Sequence, residues 1–112
     1  MTMTETQIFL PQEHDSFSEV TINGERFLLR FSYNDTFDYW SLGIYELNRT
    51  PIIAGMKIVP NIPLNLFIRL RRLGDTYFIA TSKHQHIGWR DFWDGAAQFW
   101  MVTKTKSGKE PT

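Results

Sequence analysis

His84 and His86 are two positions apart, the spacing that lets two imidazoles face one metal ion from a single strand face. No cysteine or matched carboxylate stands beside them; His14 or Asp91 would have to be brought in, or further copies of the pair in a threefold or sixfold assembly. Loop histidines are therefore the plainer reading, because motifs this short match by chance. Asp35 with Asp38, and Asp91 with Asp94, have the spacing of paired acid–base carboxylates, but both pairs fall in turn-like stretches where Asp serves local hydrogen bonds. The chain has no G-x-S-x-G, no phosphate-binding glycine loop and no H-E-x-x-H. No enzyme is expected, and no cofactor.

The densest feature is aromatic: Trp89, Phe92, Trp93 and Trp100, with Phe99 between and Trp40 earlier in the chain. Rings of this kind either pack in cores and subunit interfaces or offer stacking platforms for sugars or single-stranded nucleic acid. Packing is the primary reading, and the platform of Trp89, Trp93 and Trp100 the alternative. Arg69, Arg71 and Arg72 form a basic cluster whose plainer reading is a solvated face; bidentate contact with carboxylates of a neighbouring copy is the more specific alternative. A nucleic-acid patch with Lys57, Lys83 and Arg90 is the rival reading of that cluster.

These residues must be held by strands. FSEVTIN leads into Asn23-Gly24 and then ERFLLRFSY, the strongest short-range hairpin signal, since both turn positions need positive φ. Phe27, Leu29, Phe31 and Tyr33 alternate with Arg26, Arg30 and Ser32. DYWSLGIYEL is a third strand with Trp40, Leu42 and Ile44 on one face; its other face is also largely apolar, and Gly43 marks a bulge or a close backbone approach. Residues 52–59 read as a strand broken at Gly55, 64–70 as a strand with a short helix as competitor, and TYFIATS and AQFWMVTK as two more. Asp91 to Asp94 fits one helical turn. Six or seven short strands and no amphipathic helix predict a small antiparallel β-barrel or sandwich.

Length and composition bound the function. A chain of 112 residues is one domain, read as 1–104 with an acidic N-terminal segment over 1–16 and a flexible polar tail over 105–112. Aromatic residues make up 15% of it, too many for so small a body to bury in one core, which points to an interface. Twelve basic side chains balance twelve acidic ones, so the basic surplus of a duplex-binding protein is missing. The balance is uneven: Glu5, Glu13, Asp15, Glu19 and Glu25 stand in the first 25 residues without a Lys or Arg, and suit head-to-tail docking of copies. No run is long and apolar enough to span a membrane, and the N-terminus lacks a signal-peptide pattern, so synthesis in the cytoplasm is expected.

The run from Phe17 to about residue 70 resembles the phage baseplate plug family. The resemblance rests on two alternating strands around a short turn, then Asn34 ahead of Trp40-Ser41-Leu42-Gly43-Ile44. Pro51-Ile52-Ile53-Ala54-Gly55 and a leucine-rich stretch with Leu64 and Leu66 follow. Gly88 and Phe99-Trp100-Met101-Val102 are candidates for the family's closing loop and strand, whereas the tryptophan-rich loop 89–93 departs from the pattern. The resemblance implies a tail-tube-like β fold and a structural virion protein in the tail baseplate of a contractile phage or prophage. Its partners would be tube, hub, spike and wedge proteins and copies of itself in a ring. Trp40, Trp89, Phe92, Trp93, Trp100, Arg69, Arg71 and Arg72 are the interface candidates.

Overall fold

The computed structural model describes residues 2–65 and 73–105. Its elements in chain order are β1 (Thr2–Ile8), β2 (Asp15–Ile22), β3 (Glu25–Asn34), β4 (Tyr39–Tyr45), β5 (Pro51–Lys57), β6 (Leu64–Asn65), β7 (Thr76–Ser82), α1 (Asp91–Asp94) and β8 (Ala97–Thr105). They form two four-stranded antiparallel sheets, ordered β1-β8-β7-β6 and β2-β3-β4-β5. The all-β expectation holds in its sandwich form. Beyond the expected strands stands β1, inside the segment read from sequence as an acidic arm. The expected strand over 64–70 is seen at Leu64–Asn65, and its remainder lies outside the described residues, as does the tail from 106.

Local chemistry accounts for the second sheet. Asn23 (φ 55°) and Gly24 (φ 81°) make the hairpin turn between β2 and β3 and pin its register, with Val20 opposite Phe27. The alternation of β3 then decides which side is buried. Phe27, Leu29 and Phe31 are wholly buried, while Arg26 and Arg30 point outward. Trp40, Leu42 and Ile44 of β4 share the inner face. The other sheet supplies Phe78 and Ala80 from β7 and Ala97 and Phe99 from β8. Phe31 and Phe99 meet edge to face across the two layers, ring centres 5.0 Å apart. Each such side chain, fully buried, contributes roughly 1.5–3 kcal/mol relative to exposure.

Gly43 and Gly55 are two sides of one irregularity. From Leu42↔Met56 to Ile44↔Ile53, β5 uses three steps where β4 uses two, and the register shifts again before Tyr45↔Pro51. Gly55 takes φ 74° within this bulge. A Cβ on Gly43 would lie 2.7 Å from Cε1 of Tyr45, whose ring would have to shift, and in ordinary contact with the bulged strand, 3.4 Å from the Ile53 carbonyl oxygen.

Candidate functional site

Three segments meet at one end of the sandwich: the β1–β2 connection ending at His14, the end of β3 with its turn into β4, and the 83–95 segment containing α1. The turn is locally specified, because Asn34 Oδ1 accepts the amides of Thr36 and Phe37 at 3.1 and 3.0 Å. The amide of Tyr33 donates to the His14 carbonyl at 2.7 Å, and the Trp40 indole donates to the Gly88 carbonyl at 3.1 Å. Asp91 Oδ2 accepts the Gly88 amide at 2.8 Å, folding the chain into α1. A four-residue helix has no stability of its own, so packing of Phe92 against Trp40 and Phe99 holds it.

The rings form one continuous cap. Trp89 stacks on His14 (3.8 Å between centres, 20°) and lies nearly parallel to Trp40 (5.6 Å, 13°). Trp93 meets Trp89 edge-on at 4.3 Å and Trp40 at 6.0 Å, and Tyr33 leans on His14, Trp40 and Trp89. Of the predicted interface residues, Trp40, Trp89, Phe92 and Trp93 are thus gathered here. Trp40 is 1% exposed and belongs to the core, while the other three are half-buried at the rim. A groove of about 360 Å³ runs along this rim between Gln12, Trp89, Arg90, Trp93 and Asp94. The Trp93 indole N–H is buried without an acceptor.

Trp100 is not part of the cap. It stands on the outward face of β8, opposite Gln7 and Ile79, with its indole donating to Thr81 Oγ1 at 3.0 Å. The rings of Trp89 and Trp93 are turned on one another and on their neighbours, as a cap rather than as a shared platform with Trp100. Arg69, Arg71 and Arg72 lie outside the described residues.

The histidine pair lies in a loop, as in the plainer reading, and not on a strand face. β7 ends at Ser82, so His84 and His86 lie in a loop, where the His84 amide donates to Ser82 Oγ at 3.0 Å. His86 Nε2 lies 2.9 Å from Asp38 Oδ2, and the Tyr33 hydroxyl donates to the other oxygen of the same carboxylate. Both bonds hold the Asp38 carboxyl below its ordinary range, the Tyr33 bond more than the His86 bond. Desolvation first, then the anionic neighbour, pushes the Tyr33 phenol up to about 12. Among the described residues no three His, Asp or Glu side chains gather as metal ligands. Of the four carboxylates read as turn formers, two bond nearby backbone amides, Asp91 on Gly88 and Asp94 Oδ1 on Ala96 at 3.0 Å, whereas Asp38 bonds the side chains of Tyr33 and His86.

The outward face of the β2–β5 sheet carries a second polar–aromatic network. Arg30 grips Asp15 through two bonds of 2.8 and 2.6 Å and donates to the Tyr45 hydroxyl at 3.0 Å. The Arg30 hydrogen bonds hold the Asp15 carboxyl below its ordinary range, and the same pair raises the already high pKa of the guanidinium. Arg49 lies over the Phe17 ring at 4.7 Å, and Lys57 over Tyr39 at 5.1 Å. Sequence reading passed over two further residues, Phe9 and Phe37, which are 76% and 75% exposed. Phe37 is an aromatic residue set among the turn-type neighbours Asn34, Asp35, Thr36 and Asp38, a contrast that marks it, whereas Phe9 sits between Ile8 and Leu10 with no such signal.

The fold is thus a small two-layered β sandwich with an aromatic cap at one end and two exposed phenylalanines. The family described as cyanophage baseplate Pam3 plug gp18 matches residues 3–104, and the chain belongs to it. The matched span includes the 89–93 loop and the C-terminal third as far as residue 104, where the motif resemblance was weakest. A search of curated proteins gave no match.

Proposed function

We propose that this protein is a structural component of a phage tail baseplate, a plug seated near the junction of tail tube, hub and spike. It acts by packing against tube, hub, spike and wedge proteins around the tail axis, in a ring of its own copies, within a contractile tail. The family match through residues 3–104 carries the reading. The exposed Phe9 and Phe37 support it, as apolar surface of the kind that neighbouring subunits cover. A structural baseplate family also argues against catalysis. The test is mass spectrometry of purified tails and baseplates, with binding of the isolated chain to tube and hub proteins measured alongside. The chain is expected in baseplates at a fixed ratio to the hub. Its absence from them, together with a monomer that ignores both proteins, would sink the proposal.

A further inference from the structure

The two sides of the sandwich are protected very differently. On one side stand β5 and β6. β5 begins at Pro51, carries the bulge at Gly55 and ends at Lys57, and β6 is two residues long. Proline, bulges, lysine and shortness are the devices by which proteins blunt a free sheet edge. On the other side stand β1 and β2. β1 keeps an unbroken register against β8 from Thr2 to Ile8, and β2 keeps one against β3 from Asp15 to Ile22. Neither contains Pro, Gly, Lys or Arg.

Between these two edges lies a crevice of about 570 Å³, lined in part by Thr6, Ile8, Phe9, Glu19, Val20 and Met101. The carboxylates of the two strands and their connection are Glu5 on β1, Glu13 in the connection, and Asp15 and Glu19 on β2. Asp15 is held by Arg30 and Glu19 by Arg26, whereas Glu5 and Glu13 have no cationic partner among the described residues.

We propose that this side accepts an extended strand from another baseplate protein, paired onto β1 and alternating apolar with Lys or Arg side chains. The inference deepens the plug reading and rests on it. The chemistry of the strand follows from the pleat. A strand added beside β1 turns alternate side chains towards the crevice, against Ile8, Val20 and Met101, where apolar groups fit. Its other side chains lie on the outward face beside Glu5 and Gln7, where a cation answers the unpaired carboxylate.

Amide hydrogen exchange of the chain, free and within purified baseplates, tests this. Assembly is expected to slow exchange at residues 2–8 by about tenfold or more and to leave 51–57 unchanged. Glu5→Lys, a change on an exposed edge, is expected to abolish that slowing while the free chain keeps its fold by circular dichroism. A chain present in baseplates with unchanged exchange at 2–8, or protected at 51–57 instead, overturns the inference and leaves the plug reading standing. Slowing at 2–8 on concentrating the free chain alone also overturns it, because the strand would then belong to a second copy. A chain missing from baseplates refutes the plug reading, and this inference with it.

Discussion

Trp40 and Trp93 touch each other, yet their indole nitrogens have opposite circumstances. The Trp40 N–H reaches the Gly88 carbonyl, while the Trp93 N–H is buried with no acceptor. Trp40→Phe removes a satisfied donor, strands a carbonyl and opens a void, so a loss of about 2–3 kcal/mol is expected. Trp93→Phe removes a donor that already lacks a partner, and should stay within about 1 kcal/mol of the parent. Urea midpoints of the two variants measure the contrast, and equal losses would refute this account. Nothing in the sequence separates these two tryptophans. The acceptor for Trp40 comes from 48 residues away, through a fold that brings two connections together. For the same reason the spacing of His84 and His86 does not give the partners they find. What decides their geometry is where β7 stops and where Asp38 stands, and both are set by tertiary packing.

At the scale of elements, the β2–β3 hairpin was the most legible part of the chain, because its signal is local. Gly24 has open space where a Cβ would go, but its φ is 81°. Gly24→Ala therefore carries a conformational cost alone, about 1–2 kcal/mol, without repacking of the core. An unchanged crystal or NMR core with a lowered unfolding midpoint is the expected outcome, and an unchanged midpoint would show that the turn relaxes. β1 lies at the other extreme of legibility. TMTETQI has few apolar residues and no turn signal, and it becomes a strand by pairing with β8, almost a whole chain length away. The bulged β5 was half legible. Gly55 announced an interruption, but its match to Gly43 emerges only when the two strands are laid side by side.

For the whole molecule, the carboxylates set the acid limit. Folding lowers the pKa of both Asp15 and Asp38 from an ordinary value of 3.8, so in that range the unfolded chain binds more protons than the folded one. Their contribution is fully present above that value and is lost as pH falls through the folded pKa values. Tyr33 acts in the opposite sense. Its pKa rises from 10.0 to about 12, so its contribution is complete below the first value and disappears as pH climbs through the second. A plateau of unfolding free energy with falls at both ends is expected from urea titrations across pH, and Asp15→Asn should flatten the acid limb. An acid limb unchanged by that substitution would assign the loss to other groups. All of these groups were visible in the sequence as charged or phenolic residues. Their pairing was not, since Asp15 finds Arg30 across a strand pair and Asp38 finds His86 across a loop.

Thr2 and Thr105 are register partners, so the two ends of the sandwich chain leave side by side from one corner. The aromatic cap sits at the opposite end, where β8 begins. Tension drawn between the two ends would peel β1 from β8 one rung at a time. A pull running from that corner towards the cap would load all the rungs together in shear. The domain is mechanically directional: soft to being unzipped at its ends, stiff along its strands.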